Sequence, residues 1–199
     1  MSKKTGKIIA VTGGIGAGKS TVSGIIKNLG YRVFGADEIY KKLLKNGEFK
    51  RKIYSAVGLA FNGRFVKKQV ADVVFNDKAK LDALNEVTHG EIMSAMLKKS
   101  KKALSNAKNG LVFNEVPLLF EGGYENLYDG AIVVMRDKKA RIAAVTARDG
   151  ISEARTVARI NNQLDYEKKD LTAYTLIVND GDVESLVEKV EKAVEEFKG

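Results

Sequence analysis

The chain has 199 residues, 44% of them hydrophobic, and a formal net charge of +9, which suits one ordinary domain core, alone or carrying insertions. It contains no cysteine and one histidine, excluding disulfides, thiolate metal sites and a His-rich zinc site. No apolar run approaches a signal-peptide core or a membrane span, so a soluble, cytoplasmic chain without a membrane partner is expected.

The first element is Lys7-Ile8-Ile9-Ala10-Val11, which reads as a buried parallel strand. It runs into Gly13-Gly14-Ile15-Gly16-Ala17-Gly18-Lys19-Ser20-Thr21, where Gly13, Gly18, Lys19 and Ser20 fit the pattern G-x-x-x-x-G-K-[ST]. Val22, Ile25, Ile26 and Leu29 then fall on one apolar helix face, and Gly30 suits a helix C-terminus. Strand, glycine loop and helix form the setting in which backbone N–H groups and a helix N-terminus cradle phosphate. The chemistry expected is a nucleoside triphosphate held by the amides of Gly14, Gly16, Ala17, Gly18, Ser20 and Thr21. Lys19 would reach the β- and γ-phosphates, and the Ser20 hydroxyl would join the shell of a magnesium ion.

Tyr31-Arg32-Val33-Phe34 reads as a second strand leading through Gly35-Ala36-Asp37 into a helix with Ile39, Leu43 and Leu44 on one side, ended by Asn46-Gly47. From about 38 to 109 only helical patterns recur. They comprise Phe49, Ile53 and Val57; Val66, Val70, Val73 and Val74; and a long stretch through Leu81, Leu84, Ile92, Met93 and Met96 toward Leu104. An insertion longer than an ordinary crossover suits an acceptor site beside the nucleotide. Further strands are expected at Leu111–Val116, Ala131–Met135 and Thr175–Val178, with helices around Ile142–Ala147 and Val157–Leu164. Asp182 caps a last helix whose stripe runs from Val183 to Phe197. Alternating strands and helices predict a three-layer α/β/α fold of the P-loop NTPase type around a parallel five-stranded sheet, with a helical lid over 138–170. Ligands in such sheets sit at the strand C-termini, where the glycine loop, Asp37 and the stretch after Val116 all fall.

Asp37, just past the second strand, is placed to orient and deprotonate an accepting hydroxyl, although an aspartate there can also cap a helix. Glu115 and Glu121 bracket Val116-Pro117-Leu118-Leu119-Phe120; an acid there can meet magnesium through water or be an ordinary surface acid. Arg155, Arg159 and Gln163 recur at i, i+4 and i+8 and, with Arg148, can fold over a nucleotide; a solvated helix face is the plainer reading. His89 shares a face with Ile92, Met93 and Met96, as a core histidine would. Lys98-Lys99 and Lys101-Lys102 scatter the positive charge over a helix. No recognised nucleic-acid motif accompanies them, so nucleic acid is not an expected partner.

Together these segments resemble the dephospho-CoA kinase family. The resemblance rests on the glycine loop, Ala36-Asp37 with Ile39, Leu84-Asn85 with His89, Val116-Pro117-Leu118-Leu119-Phe120-Glu121, Arg148-Asp149-Gly150, Arg159-Ile160 with Gln163, and Asn179-Asp180-Gly181. It implies ATP-dependent phosphorylation of the ribose 3′-hydroxyl of dephospho-CoA, with Mg2+, within a single kinase domain spanning 1–199. It implies Asp37, Lys19 and Arg148 as catalytic, and Arg148, Arg159 and Gln163 beside the glycine loop in nucleotide binding. Asp37, Lys41, His89, Pro117, Leu118 and Glu121 would hold the acceptor. The chain departs from the family's usual pattern at Gly35, Lys41, Gly90 and Ala144. The open alternatives are another small-molecule kinase of this type, acting on a nucleotide, sugar or shikimate, and a basic nucleotide-binding regulator acting on nucleic acid. A GTPase lacks support, because no Asn-Lys-x-Asp segment occurs. No feature assigns an oligomeric state.

Overall fold

The computed structural model describes residues 6–198, which divide into two compact units, one formed by residues up to Phe34 with those from Ser100 onward, the other by Gly35–Lys99. In the first unit five strands form one parallel sheet. They are β1 (Lys7–Thr12), β2 (Arg32–Gly35), β3 (Leu111–Glu115), β4 (Gly130–Met135) and β5 (Thr175–Val178), in the order β2-β3-β1-β4-β5. The central strand β1 pairs with β3 from Lys7↔Leu111 to Val11↔Glu115 and with β4 from Ile9↔Gly130 to Thr12↔Val133. This register brings the glycine loop, Glu115 and the end of β4 to one edge, the strand C-termini where α/β sheets bind ligands.

Both sheet faces are buried, which is why β1, β3 and β4 read as continuous apolar runs. Ile9, Val11, Phe113, Ile132, Val134 and Ile177 pack with Val22, Ile25 and Ile26 of α1 (Lys19–Asn28) and with Leu186, Val190, Ala193 and Val194 of the last helix, Val183–Glu195. The valine, leucine, isoleucine and phenylalanine side chains among these contribute about 1.5–3 kcal/mol each when fully buried. Asp182 caps that last helix through the Ser185 N–H, as expected, but the helix stops at Glu195 and Phe197 packs on the core from beyond it. Gly30, at φ 88, closes α1, and the following Tyr31 N–H reaches back to the Ile26 carbonyl at 3.2 Å. This is the 6→1 bond of a glycine-terminated helix.

The regular structure of the Gly35–Lys99 unit is built from helices, as the absence of strand patterns predicts, with an irregular connection over 57–66. It contains α2 (Ala36–Leu43), α3 (Gly47–Ala56), α4 (Lys67–Phe75) and most of α5 (Lys78–Leu104). Its own core joins Phe49, Ile53, Tyr54, Val57 and Val70. One expectation is corrected here. Asn46 does not end the helix before it but starts α3, its side chain accepting from the Glu48 N–H at 2.7 Å. Asparagine is among the best residues for satisfying an orphan amide at that position. Lys98, Lys101 and Lys102 lie exposed on α5, while Met93 and Met96 are buried.

Among the described residues no helix is long and apolar enough to cross a membrane.

Candidate active site

The glycine loop leaves β1 in a conformation that only glycine permits. Gly13, Gly16 and Gly18 sit at φ 143, 79 and 100, where a side chain is strained. Close approach adds a second reason at Gly13, where a Cβ would lie 2.2 Å from the Val134 carbonyl oxygen. The helix that follows starts without a side-chain cap and without an acidic residue in its first turn. Asp137, Ser152 and Asp182 accept from amides of the helices they precede, whereas α2 and α4 also start without a side-chain cap. The uncompensated positive end at Lys19, Ser20 and Thr21 is what an anion site requires.

Lys19 lies along the loop, its Nζ donating to the Gly13 carbonyl at 2.7 Å and to the Gly14 carbonyl at 3.0 Å. Burial lowers its pKa to about 8, opposed by the negative charges of Glu115 and Glu121 and reinforced by Arg141 and Arg148. Glu115 ends β3 half-buried, and Pro117 and Leu118 follow it in the turn after Val116, whose N–H returns to the Val11 carbonyl. Glu121 is exposed and accepts from the Leu164 N–H at 3.4 Å.

Three distant segments close on the loop. Gln163 Oε1 accepts from the Ile15 N–H at 2.6 Å. Arg141, in α6 (Lys138–Asp149), donates from Nε to the Ile15 carbonyl at 2.9 Å. Asn179, following β5, donates from Nδ2 to the Ala17 carbonyl at 2.9 Å. Tyr166 adds a contact at 3.4 Å between its hydroxyl and Thr12 Oγ1, and burial pushes its phenol up to about 12. Its ring also packs edge-on against Phe120.

Of the arginines expected to face a nucleotide, Arg148 pairs with Asp149 at 2.7 Å and Arg159 pairs with the same carboxylate at 2.8 Å. The helical spacing expected through Gln163 is corrected. Helix α7 (Glu153–Asn161) ends before Gln163, which follows in a turn with its own N–H on the Ile160 carbonyl. That turn releases Gln163 from the face of Arg155 and Arg159. In the other unit, Asp37 and Lys41 are exposed one turn apart on α2, and His89 is half-buried on α5 with its pKa lowered by burial.

Sequence reasoning missed Arg141, Tyr166 and Asn179 as site residues. Asn179 was findable from its place at a strand C-terminus on the ligand edge. Arg141 and Tyr166 belong to no local pattern; only the fold brings them to the glycines.

The family model of dephospho-CoA kinase matches residues 7–185. The chain belongs to the dephospho-CoA kinase family. A curated member, the dephospho-CoA kinase of Carboxydothermus hydrogenoformans, is 33% identical over 96% of this chain and 94% of its own length. A crystal structure from Thermus thermophilus superposes with a TM-score of 0.79 at 33% identity, covering 97% of this chain and 98% of that one. A shikimate kinase from Acinetobacter baumannii is similar in fold alone, with a TM-score of 0.52 at 15% identity over 98% and 96% of the two chains. The fold is therefore that of P-loop kinases, and the dephospho-CoA kinase family match covers both the glycine loop and the helical unit.

Proposed function

We infer that this chain transfers the γ-phosphoryl group of ATP to the ribose 3′-hydroxyl of dephospho-CoA, giving CoA and ADP, the last step of coenzyme A biosynthesis. The observation that carries this reading is the near-full-length family match, joined to a glycine loop whose helix N-terminus is positive and uncompensated.

In this reading the amides of Gly14, Gly16, Ala17, Gly18, Ser20 and Thr21 and the Lys19 ammonium bind the phosphates. Asp37 accepts the proton of the 3′-hydroxyl; its exposure in the first turn of α2 leaves the carboxylate open to a substrate. Arg148, Arg159 and Gln163 form the nucleotide side of a lid over 138–170. Lys41, His89, Pro117, Leu118 and Glu121 hold the acceptor together with Asp37, the helical segment 38–109 supplying much of that surface within a single kinase domain.

The donor set fits magnesium. Ser20 offers an exposed hydroxyl beside Lys19, and Glu115 lies close enough to act on the Lys19 charge. Among the described residues no cluster of three or more acids or histidines forms a dedicated metal cage, which suits an ion held mainly by phosphate oxygens and water. When bound, the ion neutralises charge on the β- and γ-phosphates. The basic balance of the chain suits two polyanionic substrates and calls for no nucleic acid. Both substrates are soluble, and we place the reaction in the cytoplasm.

The test is ADP release with dephospho-CoA, AMP, shikimate and gluconate offered separately as acceptors. Stimulation by dephospho-CoA alone is expected. Equal or greater stimulation by another acceptor overturns the assignment.

A further inference from the structure

Arg141 stands apart from the other arginines of its region. It is 9% exposed, although arginine is almost never buried so far without a paired carboxylate. Asp165 and Glu167 act on it only at a distance, and Asp165 forms its own pair with Lys168. Among the described residues its side-chain hydrogen bond is the one from Nε to the Ile15 carbonyl at 2.9 Å. The remaining donors of the fork lie over the glycine loop. A Cβ on Gly14 would come within 2.5 Å of Nη2 and 2.8 Å of Cζ, so the guanidinium, as placed, lies directly against residue 14 in space that a side chain there would occupy. Gly16 serves the same approach, since a Cβ there would meet the Arg141 carbonyl oxygen at 2.8 Å.

Two cations thus share one concavity. Arg141 acts on Lys19 more strongly than Arg148 does, and both lower its pKa. Arg148 and Arg159, by contrast, spend their charge on Asp149, which receives Nε and Nη2 of the first and Nη1 of the second. A buried, uncompensated guanidinium beside a second cation on a phosphate loop is stabilised by an anion that both can reach.

We propose that Arg141 is a catalytic arginine supplied in cis, its Nη groups donating to the terminal phosphate of the bound nucleotide. In the transfer, the acceptor oxygen forms its bond to the γ-phosphorus as the bond to the β–γ bridging oxygen breaks. ADP leaves with that electron pair, and the acceptor's proton passes to the carboxylate base. Arg141 opposes the charge that develops on the moving group and on the leaving oxygen. Its Nε bond to Ile15 fixes the fork beforehand, so little ordering remains for the transition state. This deepens the reading of the chain as an ATP-dependent kinase and rests on it.

Titration calorimetry with Mg2+ and either ADP or ATPγS, without acceptor, tests the proposal. Arg141→Ala and Arg141→Gln are expected to weaken ATPγS about tenfold or more, the effect of losing a charge-assisted bond, while ADP changes less than about threefold. The glutamine keeps a donor for the Ile15 carbonyl, and circular dichroism confirms that each variant is folded. A merely structural role predicts wild-type selectivity in Arg141→Gln, or equal loss of both nucleotides in both variants. Either result overturns the proposal. If Arg141→Ala does not fold, the glutamine variant alone decides. No acceptor enters the measurement, so a failure of dephospho-CoA as substrate and a failure here are separable. In the full reaction kcat should fall about 10²–10³-fold, the range for removing one preorganised donor.

Discussion

Gln163 accepts the Ile15 N–H at 2.6 Å, joining a turn after α7 to the middle of the phosphate loop. The carbonyl of the same residue is held from α6, so the two peptide groups flanking the Ile15 Cα are each held by a segment far along the chain. A loop whose glycines permit many conformations is thereby narrowed toward one before nucleotide arrives, which reduces the ordering cost of binding.

Replacing Gln163 with alanine removes one of those two holds. The expected loss is about 1 kcal/mol of ground-state binding, or roughly a fivefold rise in KM for ATP with kcat little changed. Steady-state kinetics at saturating acceptor measures both. A fall in kcat with unchanged KM would assign Gln163 to the transition state instead.

Lys19 gives the site a pH signature. Burial holds its pKa at about 8 in the free protein, whereas a bound triphosphate favours the charged form. Near pH 9 the free lysine is largely neutral and the complexed one charged, so ATP binding should take up close to one proton. Calorimetry in two buffers of different ionisation enthalpy measures this, and Lys19→Met should abolish it. The same depression makes the charged lysine a stability cost that is fully present below about pH 8. That cost is relieved as the pH rises toward the ordinary value of 10.5.

Two glycines should respond oppositely to alanine. At Gly13 the new Cβ meets a backbone oxygen at 2.2 Å with φ at 143, and neither can relax cheaply. About 2–4 kcal/mol of stability should be lost, together with nucleotide binding. At Gly90, inside α5, nothing lies within 4 Å of the added atom. There alanine should stabilise by about 0.5–1 kcal/mol. Thermal unfolding of the two variants compares them directly.

The sheet and the loop were legible because they are local. Apolar runs of strand length, a fixed glycine spacing and an i, i+3, i+4, i+7 stripe each follow from one stretch of chain, and β5 falls at Thr175–Val178 as its pattern predicts. What surrounds the loop was not legible in the same way. Arg141 lies in a helix of unremarkable pattern and acquires meaning only when α6 meets Gly14 and Gly16. Gln163 was legible as a residue but not in its setting, because a turn after Asn161 interrupts the spacing that the helical reading extended. Arg148-Asp149 was legible as adjacent residues of one helix, but the pairing of Asp149 with Arg159 was not, because an ion pair formed across two helices leaves no periodic trace.

Asp37→Asn separates binding from chemistry. As the proposed base it should lower kcat at least about 10²-fold, the usual contribution of a positioned proton acceptor, while ADP affinity stays within about twofold. Unchanged turnover would remove Asp37 from that role.

Transfer to the ribose 3′-hydroxyl of dephospho-CoA fixes where the phosphate ends. Phosphorus NMR of the product from dephospho-CoA and ATP tests it most directly. A new phosphomonoester coupled to the ribose 3′-proton, appearing in step with ADP, is expected. ADP formed without that resonance, or with phosphate on another hydroxyl, would contradict it.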